Sequence, residues 1–310
     1  MSIARNISVV IPAYNESGNI PLLTKKLSEV LKEFDYEIIF VDDGSTDSTL
    51  SVLKQLNQSD SRIQYLSFSK NFGHQHALKA GIDHASGDCV IMMDGDLQHP
   101  PELILPMIDK WKNEKFDVVY TARLTEPNQS LFKKTTSDLF YFLMNIFSDV
   151  DVQQGTADFR LIDRKVALQI SKINDPFLFL RGLVPWMGFR QYRLEYKPGK
   201  RNAGETKYSF LQMIALAFNG ITSFSVKPLR IATLAGVVIS VLSFCYGIYA
   251  IGIYFLTDKA ISGWASVLTS VLFIGGIQLL MIGIIGEYIG KMYMHLKNRP
   301  DYIIRESSIK

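Results

Sequence analysis

Two long uncharged stretches in the last third of the chain place the strongest constraint on its fold. Ile231–Thr257 has 27 residues without a charged side chain, and Ile261–Gly286 has 26 more. A helix needs about 20 apolar residues to cross the hydrocarbon core of a bilayer, so each stretch is long enough to span it. Buried helices of globular proteins are usually shorter than this. The sequence therefore predicts two transmembrane helices, with Asp258 and Lys259 in the turn between them.

Basic residues flank this hairpin on its outer ends. Lys227 and Arg230 precede the first stretch, and Lys291, Lys297 and Arg299 follow the second, whereas the turn has a single lysine. The positive-inside rule then places both ends of the hairpin in the cytoplasm. The first residues lack the apolar core of a signal peptide. We expect an integral protein of the inner (plasma) membrane with a cytoplasmic N-terminal domain and both termini in the cytoplasm.

The charge distribution separates the chain into two parts. Residues 229–310 hold seven basic and four acidic side chains, so the net charge of +3 comes entirely from this segment. Residues 1–228 hold 26 of each sign, as an ordinary soluble domain does. Such a small excess does not indicate a nucleic-acid-binding surface.

The N-terminal part has the pattern of an α/β domain. Short runs rich in Val and Ile recur about every 26–30 residues, at Ile7–Ile11, Glu37–Val41, Ile63–Leu66, Cys89–Met93 and Asp117–Thr121. The segments between them show helical spacing, chiefly at Ser17–Phe34, His74–Ala85 and Pro101–Glu114. Alternating strands and helices of this kind predict a mostly parallel sheet. Ligands bind beyond the carboxyl ends of the strands in such sheets.

Three of these predicted strand ends are followed by polar, acid-rich segments. They read PAYNE after the first run, DDGSTD after the second and DGDLQH after the fourth. Asp and Gly are common in turns for conformational reasons, which would explain any one segment alone. Three acid-rich ends at one edge of a sheet favour a binding site instead.

Asp94 and Asp96 flank a glycine, a spacing at which two carboxylates can face one point. Hard oxygen ligands suit Mg²⁺ or Mn²⁺, which are often shared with the phosphates of a substrate. A divalent ion on a diphosphate would assist its departure as a Lewis acid. The chain contains neither a GxxxxGK[ST] loop nor a GxGxxG fingerprint, so the sequence does not indicate a P-loop or a Rossmann dinucleotide site.

The series PAYNE, VDDGSTDST, NFGHQHAL and MDGDLQHPPE resembles the family 2 glycosyltransferases of the GT-A fold. It is similar in particular to the polyprenyl-phosphate branch, which includes dolichol-phosphate mannose synthases and bactoprenol glucosyltransferases. The resemblance implies an inverting transfer of one sugar from a nucleotide sugar to a membrane polyprenyl phosphate. No QxxRW motif of the processive relatives is present, which favours a single transfer. The motifs do not specify the sugar: glucose from UDP-glucose is preferred, with mannose and aminoarabinose as alternatives.

The resemblance also implies roles for individual residues. Four would hold the base and ribose of the nucleotide: Pro12, Tyr14, Glu16 and Asp43. Asp94 and Asp96 would hold the metal and the diphosphate, with Asp96 counted among the catalytic residues, and Gln98 would lie beside the donor.

By the resemblance, the segment Gly155–Arg160 lies at the acceptor side of the site, and its Asp158 matches the position of the catalytic base in the family. A phosphate monoester has a second pKa near 6, so the acceptor is already largely anionic at neutral pH and needs little proton abstraction. Asp158 therefore has two interpretations: it is the general base, or it orients the acceptor.

An anionic acceptor that meets an anionic donor requires cations besides the metal. By the resemblance, the acceptor phosphate would be bound by Arg123, Lys134 and Ser137. Arg201 and Lys207 are also predicted to bind the acceptor phosphate, and they lie in the segment RNAGETKY, which is similar to a loop of this branch that closes over the donor.

The sequence predicts four regions. Residues 1–205 would form the cytosolic GT-A domain, 206–228 an amphipathic helix in the membrane plane, 229–292 the two transmembrane helices and 293–310 a cytosolic tail. Polar residues and glycines occupy seven of the 19 positions of Tyr208–Val226, so an in-plane helix is favoured over a third span. Leu139–Phe147 is either a second membrane-contacting segment or a core helix.

Two further expectations concern partners. Glycines of the second apolar stretch form small faces through which copies of the chain could pack as a homo-oligomer. A non-catalytic membrane scaffold that binds nucleotide sugar is the alternative from another functional class, and the three acidic residues Asp94, Asp96 and Asp158 argue against it.

Overall fold

The computed structural model describes residues 6–123, 156–196, 225–256 and 263–309, together with Thr222. The described residues form two compact units. Residues 6–123, 156–196 and 299–309 make up the first unit, and Thr222, 225–256 and 263–298 the second.

The first unit is an α/β domain built on one eight-stranded sheet. Its strands are β1 (Asn6–Ala13), β2 (Asp35–Asp42), β3 (Ile63–Phe68), β4 (Cys89–Met92), β5 (Val118–Arg123), β6 (Thr156–Asp163), β7 (Gln191–Tyr196) and β8 (Ile304–Ser307). Its helices are α1 (Ile20–Val30), α2 (Thr49–Ser59), α3 (His74–His84), α4 (Ile104–Lys112), α5 (Arg164–Ser171) and α6 (Leu180–Trp186), and Pro101–Leu103 forms a 3₁₀ turn before α4. The five strands and the three chief helices predicted from the sequence are confirmed.

The strands are arranged in the order β7-β5-β6-β4-β1-β2-β3-β8. The central strands β4, β1, β2 and β3 are parallel, as predicted. β6 is antiparallel to both β4 and β5, and β8 is antiparallel to β3. The sheet is therefore mixed but mostly parallel, and the first residues of β6 lie beside the carboxyl end of β4.

The central strands are buried on both faces, which explains their continuous apolar runs. Val9 and Ile11 of β1 pack on the layer that contains α1, whereas Val10 packs on the layer that contains α3. Helix α3 approaches β1 closely at Gly81, where a Cβ atom would lie 2.1 Å from Cγ1 of Val10. This close packing fixes α3, and with it His74 at its first turn.

The C-terminal residues return to the sheet of the first unit. β8 pairs with β3, with Ser307 opposite Leu66. The ring of Tyr302 stacks on that of Phe68 at a centroid distance of 5.2 Å. The sequence predicted residues 293–310 only as a tail, because a four-residue strand has no pattern that indicates its partner.

The second unit contains two long helices, α7 (Lys227–Leu256) and α8 (Trp264–Leu296). Within them Lys227–Tyr249 and Ser270–Leu296 are long and apolar enough to cross a membrane, and none of their side chains is buried within the protein. This agrees with the predicted helical hairpin. The predicted in-plane helix at 206–228 lies mostly outside the described residues, as does Leu139–Phe147.

Candidate active site

The loops after β1 and β2 are joined through Asn15. This residue adopts a left-handed backbone conformation with φ of 57°. Its Oδ1 accepts hydrogen bonds from the backbone N–H groups of Thr46 (2.9 Å) and Asp47 (3.3 Å), and its own N–H donates to Oγ of Ser45. Short polar side chains of this kind hold turns by bonding to nearby backbone. The PAYNE and DDGSTD segments therefore form one structured rim at the carboxyl edge of the sheet.

Three residues predicted to bind the nucleotide lie on this rim. Pro12 is buried in β1, and its carbonyl oxygen would be 3.3 Å from a Cβ atom at Gly95. Tyr14 leaves 47% of its surface exposed. The carboxylate of Glu16 accepts a hydrogen bond from Nδ2 of Asn19 at 2.6 Å. The rim thus presents an exposed aromatic ring and a carboxylate beside the loop that contains Asp94.

Asp43 is buried, and its carboxylate is bound to backbone. Oδ1 accepts hydrogen bonds from the N–H groups of Phe72 (2.7 Å) and Gly73 (3.2 Å), and Oδ2 accepts a second contact from Gly73. Burial raises the pKa of Asp43, although these hydrogen bonds act in the opposite direction. The structure therefore gives Asp43 a part in holding the loop that leads into α3. The sequence predicted only a contact with the nucleotide for it.

Two histidines hold the carboxylate of Asp94. Nε2 of His74 lies 2.8 Å from Oδ1, and Nε2 of His99 lies 3.3 Å from Oδ2. Burial opposes the ionisation of Asp94, but the hydrogen bonds from both histidines outweigh it and lower the pKa of Asp94 strongly. Burial also disfavours a charged His74, yet the bond to Asp94 and the nearby charge of Asp158 raise its pKa. The two histidines therefore favour the ionised form of Asp94.

His99 is oriented in turn by Tyr196 of β7. The Tyr196 hydroxyl lies 2.8 Å from Nδ1 of His99, and both residues are buried. The hydroxyl and Asp94 contact the two ring nitrogens of His99 from opposite sides and fix the orientation of the ring. The carboxylate of Asp94 thus has a second layer of support.

A tight turn follows Asp94. Leu97 has a positive φ of 61°, which is uncommon for a residue other than glycine and is found at functional loops. Oδ1 of Asp96 accepts a hydrogen bond from the backbone N–H of Gln98 at 3.0 Å. The turn places Asp94, Asp96 and Gln98 on one short loop, as the sequence predicted.

The antiparallel pairing of β6 with β4 brings Asp158 to the same place. Met92, the last residue of β4, lies opposite Arg160, so Asp158, two residues earlier in β6, lies beyond the carboxyl end of β4 on the side where the Asp94 loop begins. The side chains agree with the register, since Nδ1 of His74 lies 3.9 Å from Oδ2 of Asp158 while its Nε2 contacts Asp94. A single imidazole therefore connects the two acidic groups.

Asp158 is clamped by arginine. Nε of Arg181 donates to Oδ1 of Asp158 at 2.9 Å and its Nη2 donates to Oδ2 at 2.8 Å, while Nε2 of Gln75 lies 3.3 Å from Oδ2. Nη2 of Arg160 lies 3.8 Å from Oδ1. Burial opposes ionisation, but Arg181 and Arg160 lower the pKa of Asp158. Asp158 is thus ionised and bound on both oxygens.

Comparison with known proteins gives matches to two family models. The model of glycosyl transferase family 2 matches residues 8–170, and the model of the GtrB C-terminal hairpin matches residues 227–292. The chain belongs to glycosyl transferase family 2. Family membership makes the protein a glycosyltransferase, and the hairpin match and the two apolar helices indicate association with a membrane.

Several curated proteins resemble this glycosyltransferase over nearly their whole length. The uncharacterized glycosyltransferase YkcC of Bacillus subtilis (strain 168) is 43% identical over 97% of this chain and 93% of its own. The SfII prophage-derived bactoprenol glucosyl transferase of Shigella flexneri is 41% identical, with 97% and 98% of the two chains covered. The uncharacterized glycosyltransferase sll0501 of Synechocystis is 40% identical over 97% of this chain and 95% of its own.

Sequence reasoning missed five residues that the structure brings into the site of this family 2 enzyme. They are His74, Gln75, His99, Arg181 and Tyr196. The first three lie within motifs that the sequence singled out, NFGHQHAL and DGDLQH, but neither motif indicates what its histidines contact. Nothing in the local sequence marks the other two, because their positions depend on how α6 and β7 pack.

Most of the residues predicted to bind the acceptor phosphate lie outside the part of the chain that the structure describes. Arg123 is the last residue of β5. Lys134, Ser137, Arg201 and Lys207 lie outside the described residues, so their roles stay predictions.

The donor set at the Asp94 loop suits a hard divalent cation. Asp94 and Asp96 supply carboxylate oxygens from one turn, and Asp94 is ionised at every physiological pH. Among the described residues, no group of three His, Cys, Asp or Glu side chains could hold a metal ion. An ion bound here would therefore take its other ligands from water and from a phosphorylated substrate, as Mg²⁺ commonly does.

Proposed function

We propose that this glycosyltransferase transfers one glucose from UDP-glucose to a membrane polyprenyl phosphate, with inversion at the anomeric carbon. The observation that carries the proposal is the cluster of ionised Asp94, Asp158 and their basic partners at the carboxyl edge of the sheet. The bactoprenol glucosyl transferase of Shigella flexneri, 41% identical, supports both the sugar and the lipid. The apolar hairpin supports an acceptor held in a membrane.

The chemistry requires one displacement. An oxygen of the acceptor phosphate forms a bond to the anomeric carbon of the sugar, and the bond from that carbon to the diphosphate oxygen breaks. The electron pair of the broken bond stays with the departing nucleoside diphosphate. Because the acceptor phosphate is largely anionic at neutral pH, it needs little help as a nucleophile. The protein must mainly position two anionic substrates and stabilise the leaving group.

We assign the donor to the rim described above. Pro12, Tyr14, Glu16 and Asp43 would form the nucleotide side of that site, and Gln98 would lie beside the sugar. Asp94 and Asp96 would hold a divalent cation, Mg²⁺ or Mn²⁺, which when bound neutralises the diphosphate as it leaves. His74 and His99 keep the Asp94 carboxylate oriented before the substrates arrive.

A transfer assay with purified full-length protein tests the function. The protein in detergent micelles is supplied with polyprenyl phosphate, Mg²⁺ or Mn²⁺, and one of several nucleotide sugars. We expect UDP to be released from UDP-glucose only when the lipid is present, with formation of the polyprenyl-monophospho-sugar. Faster turnover of a mannose or aminoarabinose donor would change the sugar assigned in this proposal and leave the type of reaction unchanged. Binding of nucleotide sugar without lipid-dependent release would support the scaffold alternative.

We further propose that both termini and the catalytic domain are cytoplasmic. The basic residues at the outer ends of the hairpin support the cytoplasmic side. The pairing of β8 with β3 in one sheet supports a common side for both strands, because the chain must return to the side of the membrane from which it left. An even number of crossings between β7 and β8 follows. Two helices of suitable length agree with that parity, whereas a third span within Tyr208–Val226 does not.

Reporter fusions check this topology. A reporter active only in the cytoplasm, fused after residue 310, is expected to be as active as the same reporter fused before residue 1. A reporter inserted between residues 258 and 259 should be inactive. Opposite behaviour of the two terminal fusions would contradict the proposal.

The contact between Tyr196 and His99 gives a prediction for the metal. Tyr196→Phe removes a hydroxyl that orients the ring holding Asp94, and loss of such outer partners typically weakens metal affinity about 10–100-fold. We expect the Mg²⁺ concentration for half-maximal activity to rise by at least about tenfold, with little change at saturating Mg²⁺. Tyr192→Phe is the matched control, since Tyr192 lies in the same strand as Tyr196 but its ring packs on Phe116. An equal shift in both variants would argue against this role.

A further inference from the structure

A cavity of about 300 Å³ opens beside the clamp on Asp158. Volumes of this size are at the lower end of those of ligand sites. Its walls come from β5, β6, α6, β7 and the segment that joins α6 to β7. The lining residues within the described part of the chain are Tyr120, Thr156, Arg160, Arg181, Pro185, Phe189 and Gln191. Two of these are arginines and none of these is acidic.

Among the described residues, Arg160 meets one carboxylate, that of Asp158, whose two oxygens are already bound by Arg181. An unpaired positive charge is costly at a buried position unless an anion or hydrogen-bond acceptors compensate it.

Arg160 is the less satisfied of the two. Only 3% of its surface is exposed, and its Nε has no hydrogen-bond partner among the described residues. Its remaining contacts are long, at 3.3 Å to the carbonyl oxygen of Ala157 and 3.4 Å to that of Leu180. Burial lowers the pKa of Arg160 to about 10, so the group stays charged at neutral pH. A buried, charged guanidinium group whose Nε–H has no acceptor among the described residues is suited to bind a tetrahedral oxyanion.

Arg181 connects this cavity to the donor loop. Its guanidinium holds Asp158, Asp158 lies 3.9 Å from His74, and His74 bonds to Asp94. The side chain of Arg181 is 39% exposed, so it remains accessible to a ligand. An anion bound by the two arginines would therefore be connected to the predicted diphosphate position through these contacts.

We propose that Arg160 and Arg181 bind the phosphate group of the acceptor lipid, and that Asp158 is a positioning residue that holds Arg181 for it. This inference rests on the proposed function and adds two arginines to the acceptor-phosphate residues that the resemblance implies, Arg123, Lys134 and Ser137. It selects the second interpretation of Asp158, in which the carboxylate orients the acceptor through Arg181. The anionic phosphate then attacks without transfer of a proton to Asp158.

Steady-state kinetics of full-length Arg181→Ala test the site. We expect the KM for polyprenyl phosphate to rise at least about tenfold, because a bidentate charge-assisted contact is lost, while the KM for UDP-glucose changes less than about twofold. Arg181→Lys keeps the positive charge but loses the bidentate guanidinium group, so its KM for polyprenyl phosphate should lie between those of the wild type and Arg181→Ala. Arg62→Ala, which removes an arginine beside Asp60 at the start of β3, is the matched control. An unchanged acceptor KM, or a rise confined to the donor KM, would overturn the proposal.

Asp158→Asn distinguishes positioning from base catalysis. A positioning role predicts a raised acceptor KM with kcat within about threefold of the wild type, and no further loss when Arg181→Ala is added. A general base would instead lower kcat by about 10²–10⁴-fold at saturating acceptor. Thermal stabilisation of each variant by UDP verifies that it remains folded.

A binding measurement separates this inference from the proposed function. Thermal unfolding is followed with polyprenyl phosphate, with the uncharged polyprenol and with inorganic phosphate. We expect polyprenyl phosphate to stabilise the wild type and not Arg181→Ala, and polyprenol to affect both equally. Equal stabilisation of both proteins by polyprenyl phosphate, or none of the wild type, would overturn the inference. Lipid binding through Arg181 without any sugar transfer would overturn the proposed function alone.

Discussion

Replacing Asp94 or Asp96 by alanine is expected to abolish sugar transfer while the protein remains folded. A Lewis acid contributes several kcal/mol to a displacement of this kind. Since each factor of ten in rate corresponds to about 1.4 kcal/mol, we expect a loss of at least about a thousandfold. The measurement is lipid-dependent release of UDP from UDP-glucose by the full-length protein in detergent.

The two substitutions differ in what they remove. Asp94 is held by His74 and His99, so Asp94→Ala also releases two imidazoles and is expected to change the donor site. Asp96 has one intramolecular contact in its own turn, from the N–H of Gln98, so Asp96→Ala is the cleaner test of cation binding. Asp35→Asn, at an exposed position at the start of β2, is the control for loss of a carboxylate. Metal-independent turnover by either alanine variant would contradict the assignment.

Lys79→Met is expected to destabilise the catalytic unit more than any other single change of a charged residue considered above. Nζ of Lys79 lies 2.9 Å from Asp83 and 3.7 Å from Asp301, and the side chain is 6% exposed. Removing one partner of a buried ion pair leaves an uncompensated charge and typically costs about 3–5 kcal/mol. For a domain of this size that corresponds to a fall in Tm of roughly 10 °C.

A second lysine provides the matched control. Lys54 also pairs with the C-terminal segment, through Glu306 of β8, but both side chains are well exposed. Exposed pairs contribute little to stability, so Lys54→Met should leave Tm nearly unchanged. Both Tm values are measured by thermal unfolding of the full-length protein in detergent. Equal falls in Tm for Lys54→Met and Lys79→Met would show that the buried contact between Lys79 and Asp301 does not hold the C-terminal segment on the first unit.

The parts of the fold that local sequence patterns specify agree with the prediction. The strands β1 to β5 correspond to Val- and Ile-rich runs, since strands buried on both faces need apolar residues throughout. The loop with Asp94 and Asp96 was also predicted correctly, because its position depends only on where β4 ends. Hydrophobic length alone indicated the two long helices.

The partners of the acidic residues required the tertiary structure. The segment of Asp158 was singled out from its residue types, but its place beside Asp94 depends on β6 being antiparallel to β4. Strand pairing across an intervening segment is set by packing and leaves no local signal. The same holds for Arg181, whose helix α6 contacts β6 only because the chain folds back over the sheet.

The sequence by itself determined an α/β domain followed by an apolar hairpin, because periodicity, turn residues and hydrophobic length are properties of contiguous segments, and the resemblance of its motifs to a known family indicated a glycosyltransferase. Only the tertiary structure decided which groups share the site and that the last residues complete the sheet beside β3. Those contacts join residues far apart in the chain, and their free energy arises from burial and charge compensation that exist only once the segments have packed together.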